Sequence, residues 1–317
     1  MQPDLSPVMV RDANMRIRPL ARLTPVFTST SVDQMAAIET HFKCENLQRG
    51  GSFKIRGATN LIFSIPKEEL GRGVVAFSSG NHAQAVAIAA ERAGTTAIIV
   101  MPTDAPRGKL EATKSHGARV ITYDRFRESR ETIAEQILKE TGATLVPPFD
   151  HPLVMAGQGT AALELLEVNP QLDALVVPVG GGGLLAGCAT IAKALHPEIR
   201  IFGAEPEKAN DTYLSMQAGK RVPIPVPDTI ADGLRSPQPG ALTFPILQRH
   251  VEQILLVTED EIRATVKFLL LRMKLLVEPS GAVSAAAVLH HKLPEGIKSA
   301  GVILSGGNVD FEDLIAY

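Results

Sequence analysis

Lys54, in the run Ser52-Phe53-Lys54-Ile55-Arg56-Gly57, is the side chain whose setting most invites chemistry. It follows Gly50-Gly51 and precedes an apolar segment from Ala58 to Ile65. A helix N-terminus disfavours a cation, so a lysine there is electrostatically misplaced unless it is used. Beside positive dipole ends and apolar neighbours, its amine loses proton affinity and, once neutral, can attack a carbonyl. The bland alternative is a solvated lysine. Three glycine-rich turns accompany it: Ser78 to His82 (SSGNH), Gly180 to Gly183 (GGGG) and Ser305 to Asn308 (SGGN). Each follows a strand-like run, and ligands of parallel α/β sheets bind beyond the carboxyl ends of strands.

Gly180, Gly181, Gly182 and Gly183 let the backbone turn its N–H groups toward a ligand, and the helix expected from Leu184 favours an anion at its start. No Lys-Ser or Lys-Thr follows, which argues against a nucleoside-triphosphate loop. A dinucleotide site is the sharper rival. Gly181, Gly183 and Ala186 fit G-x-G-x-x-A, and Glu205 follows 19 residues later, where a ribose-binding acid would stand. A nucleophilic lysine combined with a phosphate cradle points instead to pyridoxal phosphate, with Lys54 on the aldehyde and the Ser305 hydroxyl facing the ring nitrogen. Nicotinamide chemistry explains neither Lys54 nor the other two turns.

Positioning these groups requires alternating strands and helices. Val74–Phe77, Thr96–Met101, Arg119–Tyr123, Thr144–Val146, Ala174–Val179, Ile199–Ala204 and Gly301–Leu304 read as strands. Asn81–Ala93, Lys109–Ser115, Ser129–Glu140, Val154–Glu167, Leu184–Leu195, Glu259–Lys274 (capped by Thr258) and Ser280–His291 read as helices. The runs VVAF, AIIV and ALVVPV are apolar throughout, as in sheets covered on both faces. The expected fold class is α/β, with open, mainly parallel sheets flanked by helices. Lys220–Pro245 holds six prolines and reads as extended loop, a surface arm or a site wall.

Composition narrows the function. The 317 residues are 45% hydrophobic and 21% charged, with a net charge of −2, so no basic excess invites nucleic acid or an anionic membrane. The longest uncharged stretch, Ala174–Ala192, contains Pro178 and the glycine run, which suits strand, turn and helix rather than a membrane span. Cys44 and Cys188 cannot build a disulfide framework. The first residues lack the basic start and apolar core of a signal peptide, so a cytoplasmic location is expected.

The segments KCENLQRGGSFKIRGA (43–58), FSSGNHAQA (77–85), AGQGT (156–160), VPVGGGGLLAG (177–187), GAEP (203–206), ADGL (231–234), EPSGA (278–282) and SGGNVD (305–310) together resemble the fold-type II pyridoxal-phosphate enzymes. The likeness is to the threonine/serine dehydratase and serine racemase family. It implies the tryptophan synthase β-like fold, with a large cofactor-binding domain (1–65 and 150–317) and a small domain (66–149) mobile over the active site. It also implies roles: Lys54 as the Schiff-base lysine, Phe53 packing on the ring, Asn81 at the phenolic oxygen, Gly180 to Gly183 and Leu184 at the phosphate, and Ser305 at the ring nitrogen. Ser78, Ser79, Asn81 and His82 match the loop that grips the substrate carboxylate, and Arg130 and Ser236 match substrate-pocket positions. Glu205, Ala209 and Asp211 match a divalent-cation site whose oxygen ligands suit Mg²⁺, Mn²⁺ or Ca²⁺.

The activity implied is an ammonia-lyase that eliminates the hydroxyl of L-threonine or L-serine. The alternatives are a serine racemase, with Ser79 returning a proton to the opposite face, and a 3-hydroxyaspartate dehydratase using Arg130. Phe149 stands where animal racemases have asparagine, which weakens a purely racemising reading. A homodimer is expected from the resemblance, and length leaves no room for a C-terminal sensing module. A nicotinamide oxidoreductase and a non-catalytic cofactor-binding protein remain as readings from other classes.

Overall fold

The computed structural model describes residues 4–78, 80–105, 107–124 and 127–315, apart from the side chains of Arg107 and Lys109. Its strands are β1 (Val26–Phe27), β2 (Glu39–Cys44), β3 (Val74–Phe77), β4 (Ala97–Pro102), β5 (Arg119–Tyr123), β6 (Thr144–Leu145), β7 (Ala174–Pro178), β8 (Arg200–Pro206), β9 (Gln253–Val257) and β10 (Ser299–Leu304). They form a six-stranded sheet, ordered β1-β2-β10-β7-β8-β9, and a four-stranded sheet, ordered β5-β4-β3-β6. Every pairing is parallel except that of β1 with β2. The α/β expectation, with two mainly parallel sheets, therefore holds.

The side-chain period of a strand explains why its runs are apolar throughout. On one face of the large sheet Ala174, Val176, Phe202, Val302 and Leu304 pack with the Pro279–Leu289 helix. On the other, Leu175, Val177, Ile201 and Ile303 pack with the Pro152–Val168 and Gly183–Leu195 helices. The small sheet repeats the scheme. Val74, Ala76 and Ile99 face the Asn81–Ala93 helix, while Val75, Ile98 and Val100 face Ala134 and Ile137 of the Arg130–Thr141 helix. The Lys54–Ile62 helix shares the first of these cores through Ile55, Ala58, Leu61 and Ile62.

The Pro152–Val168 and Gly183–Leu195 helices meet at backbone distance. A Cβ on Gly187 would lie 2.1 Å from the Met155 carbonyl oxygen, and one on Gly159 would lie 2.6 Å from that of Gly187. Alanine at 187 gains at most ~1 kcal/mol of helix propensity but must force two backbones apart. Gly187→Ala is therefore expected to destabilise by about 1–3 kcal/mol, read as a lower urea midpoint at unchanged slope.

The uncharged stretch resolves into β7, the glycine turn and the next helix. Among the described residues no helix is long and apolar enough to cross a membrane. Thr258 forms the expected cap, a reciprocal box with Glu261. The α-helix it starts ends at Phe268, earlier than expected, because Leu269–Met273 widens into a π-turn and Lys274 adopts φ +61°.

Candidate active site

The three glycine-rich turns lie at the carboxyl ends of β3, β7 and β10. The segment before Lys54 is stitched to the last of them. Phe53 N–H donates to the Ser305 carbonyl (3.0 Å), Gly307 N–H donates to the Gly51 carbonyl (2.9 Å), and Ser52 bridges Gly306. Lys54 is the first residue of its helix, as its spacing suggested. That helix is fixed from the side, because Gly57 N–H, which would otherwise lack an acceptor in the first turn, donates to Gln158 Oε1 at 3.1 Å.

Lys54 Nζ donates to the Pro148 carbonyl at 2.8 Å and lies 5.1 Å from the Phe53 ring centroid. Burial lowers its pKa to about 8, with the Glu278 carboxylate pulling the other way. Burial therefore supplies the loss of proton affinity that the sequence reading attributed to both dipole and neighbours. His82 is buried; its Nε2 donates to the Val146 carbonyl (2.8 Å), and its Nδ1 has no partner among the described residues. Burial, and then the nearby Lys54 charge, lower its pKa to about 3, so the ring is neutral.

Asn81 opens the helix after β3, and its Nδ2 donates to Glu278 Oε1 at 2.6 Å. Asn308 Nδ2 donates in turn to Asn81 Oδ1 at 2.9 Å. Ser78 Oγ accepts from Gly80 N–H at 3.2 Å. Ser79 lies outside the described residues. Ser305 is 3% exposed, its hydroxyl 3.5 Å from the Ser280 carbonyl oxygen.

The glycine turn is built to receive an anion. Gly182 has φ +91°. None of the N–H groups of Gly180 to Leu184 finds a backbone or side-chain acceptor among the described residues, although Leu184 is buried. The turn is held from outside, where Gly181 O accepts from Gly240 N–H (3.1 Å) and from Thr243 Oγ1 (2.8 Å). Phe149 packs on it closely enough that a Cβ on Gly181 would lie 2.4 Å from its ring. A cradle of free N–H groups, an amine of lowered proton affinity and the buried Ser305 hydroxyl are the groups that the phosphate, aldehyde and ring nitrogen of pyridoxal phosphate call for.

Arg130 starts its helix exposed, paired with Glu131 at 2.8 Å, and its guanidinium lies 5.1 Å from the centroid of Phe77 at the end of β3. It therefore stands at the carboxyl edge of the small sheet. Ser236 Oγ donates to the Gln238 carbonyl (2.9 Å) on the proline-rich loop. That loop does form a wall, with Leu234 against Gly180 and Gly233 N–H on Ser280 Oγ (2.9 Å).

Glu205, at the end of β8, accepts from Thr212 N–H (3.2 Å) and Tyr213 N–H (3.0 Å). Among the described residues, both oxygens of the buried Asp211 carboxylate lack a partner from another residue. Burial raises the Asp211 pKa to about 7, and burial together with Asp211 raises that of Glu205. Ala209 is buried on the turn between them. Among the described residues no group of three or more His, Cys, Asp or Glu side chains is arranged as a metal cage.

Glu278 and Phe149 were not assigned site roles by sequence reasoning. EPSGA marked the segment of Glu278, but only the fold brings it to Asn81.

Comparison with known proteins agrees with this geometry. The family model described as pyridoxal-phosphate dependent enzyme matches residues 17–306. The chain is 46% identical over 303 residues to the serine racemase of Schizosaccharomyces pombe, covering 96% of this chain and 94% of the relative. It is 48% identical over 303 residues to the L-threo-3-hydroxyaspartate ammonia-lyase of Saccharomyces cerevisiae, covering 96% and 93%. The crystal structure of the threonine deaminase of T.th. superposes with a TM-score of 0.90 at 43% identity, covering 98% of this chain and 99% of that one.

Proposed function

The chain belongs to the pyridoxal-phosphate dependent enzymes, and from that premise we propose that it is an ammonia-lyase converting L-threonine or L-serine to a 2-oxo acid and ammonia. The observation that carries this reading is the Lys54 amine, whose pKa is lowered to about 8, beside a cradle of free N–H groups. Bound there, pyridoxal phosphate supplies an electron sink for the charge left when the substrate Cα proton departs. Gly180 to Leu184 would hold its phosphate, Asn81 would meet its phenolic oxygen, Ser305 its ring nitrogen, and Phe53 would pack on its ring. Lys54 would hold its aldehyde, and as a neutral amine Lys54 Nζ is the base that would take the substrate Cα proton. Ser78, Ser79, Asn81 and the backbone N–H groups at the amino end of the Asn81–Ala93 helix, that of His82 among them, would receive the substrate carboxylate. The neutral His82 ring adds no charge to this task. Residues 66–149 form the domain that moves over the cleft.

The assay is release of ammonia and 2-oxo acid from L-threonine, L-serine and the 3-hydroxyaspartates, with D-serine measured alongside. D-serine without pyruvate would overturn the elimination reading in favour of a racemase using Ser79. Arg130 favours a second substrate class. Its guanidinium, over Phe77 at the carboxyl end of β3, suits the β-carboxylate of 3-hydroxyaspartate, with Ser236 as a second pocket group. Arg130→Met should then cost more kcat/KM toward 3-hydroxyaspartate than toward serine.

A divalent cation at Glu205, Asp211 and the Ala209 carbonyl is the reading that the two unpartnered Asp211 oxygens support. Its chemistry is structural, the neutralising of two buried carboxylates. Mg²⁺ or Mn²⁺ should raise the melting temperature of the wild type but not of Asp211→Asn. In the metal-free protein the folded pKa of Asp211 is raised to about 7, so stability present below the ordinary aspartate range should be lost as pH rises to about 7. A melting temperature indifferent to both cation and pH would exclude the site.

Leu23, Leu47 and Leu276 are exposed and neighbouring, since Arg22 N–H bonds Gln48 and Asn46 bonds the Leu276 carbonyl. This apolar patch supports a homodimer, for which sedimentation at micromolar concentration is the test. Cys44 and Cys188 are buried free thiols, in keeping with a cytoplasmic location.

A further inference from the structure

We propose that Glu278 is a positioning residue for the cofactor: its buried carboxylate aims the Asn81 amide N–H at the ligand and fixes the charged neighbourhood of the Lys54 amine. The inference rests on the reading of Lys54 as the cofactor-binding lysine.

Glu278 is 3% exposed at the start of the Pro279–Leu289 helix, on the large sheet. Its backbone N–H donates to the Gly306 carbonyl at 3.1 Å, which anchors it to the turn that carries Ser305. A Cβ on Gly306 would lie 2.2 Å from Glu278 Oε1, so only glycine there leaves room for the carboxylate.

A side-chain amide viewed alone is ambiguous, because its oxygen and nitrogen are nearly isosteric. An ionised carboxylate removes the ambiguity, since it can only accept. The 2.6 Å contact must therefore be made by the Asn81 NH₂ group, which leaves Asn81 Oδ1 to face Asn308 Nδ2 at 2.9 Å. The second Asn81 N–H is then the amide's remaining donor. Asn81 follows β3 of the small sheet, whereas Glu278 and Asn308 belong to elements of the large one. One carboxylate thus sets the direction of a donor across the cleft. The same group acts on Lys54. Among the described residues, the charged and titratable groups that face the amine are Glu278 and, from the Asn81–Ala93 helix, the neutral His82.

Substitutions separate the two effects. Glu278→Gln loses the charge and, because an amide can donate as well as accept, also frees the direction of the Asn81 amide. Glu278→Asp keeps the charge and falls short of Asn81, and Glu278→Ala loses both. The first readout is the pH dependence of Lys54 acetylation in the cofactor-free, full-length chain, followed by mass spectrometry. The second is the dissociation constant of pyridoxal phosphate from its visible band. In the wild type the amine should titrate near 8. In Glu278→Gln the midpoint should fall by ~1 unit, as expected for loss of a nearby opposite charge. In Glu278→Asp the midpoint should stay close to wild type while cofactor binding weakens roughly tenfold, and Glu278→Ala should show both changes. Far-UV circular dichroism identifies any variant that has merely unfolded, and Glu278→Gln, nearly isosteric, is the deciding case. An unchanged midpoint in Glu278→Gln, with unchanged cofactor affinity in Glu278→Asp and Glu278→Ala, would overturn the inference. Absence of a visible band in the wild type would instead overturn the reading of Lys54 on which it rests.

Discussion

Lys54→Ala is expected to abolish turnover and the visible band of bound cofactor while leaving the fold intact. The amine is both covalent anchor and base in the proposed reaction. Positioned acid–base groups contribute ~10²–10⁴-fold, and a lost covalent step adds to that. Among the described residues neither titratable neighbour can substitute. His82, with its pKa lowered to about 3, is a poor base, and its Nε2 is committed to Val146. Glu278 is committed to Asn81. Arginine at position 54 would remain protonated throughout and should be equally inactive, whereas both variants should melt near the wild type. The partner that Lys54 loses is a single carbonyl, that of Pro148. Measurable ammonia release by Lys54→Ala, above about 1% of wild type, would remove this side chain from the mechanism.

Much of this site was legible because chemistry and chain punctuation coincide. Lys54 at a helix start, the glycine runs and the strands before them are local signals, and β3 of the small sheet and β7 and β10 of the large one each carry one of the turns at their carboxyl ends. What escaped reading is set by distant contacts. Thr243–His250 is helical although it lies in part within the proline-rich run, because the Asp150 carboxylate accepts from the N–H groups of Ala241, Leu242 and Thr243. That cap comes from more than 90 residues away, and no window on the loop contains it. Glu278 reads as one acid in a turn, and its role exists only where Asn81 and Gly306 meet it. The short β1 has too few residues to show a period, and pairing alone makes it a strand.

Arg56 carries the second large expectation. Two residues beyond Lys54, it looks in sequence like a surface cation of an amphipathic helix, yet it is wholly buried. Its guanidinium meets Glu45 through Nε (2.7 Å) and Nη2 (2.8 Å), and Glu164 through Nη1 and Nη2 (both 2.7 Å). Lys43 completes the cluster with a 2.6 Å contact to Glu164. Two cations and two anions thus tie β2, the lysine-bearing helix and the Pro152–Val168 helix together. Removing one member strands the rest. Arg56→Leu should therefore destabilise the fold by about 3–5 kcal/mol, seen as a lower denaturant midpoint. Replacing Glu45 by leucine as well should return much of that loss, because Lys43 and Glu164 then remain as a matched pair. The pH dependence has a definite sign. Burial alone would raise the Glu45 pKa, but the charge and hydrogen bonds of Arg56 outweigh it and hold the carboxyl below its ordinary value. Its stabilisation is present above the ordinary glutamate range and lost as pH falls through the depressed value. Without Arg56 the largest influences opposing burial are gone, only the Lys43 charge and the Thr24 hydroxyl remain against it, Glu45 binds a proton more readily in the folded state, and the deficit of Arg56→Leu should shrink as the solution is acidified. A deficit that grows toward low pH would mean that the arginine is held there by packing rather than by its charge.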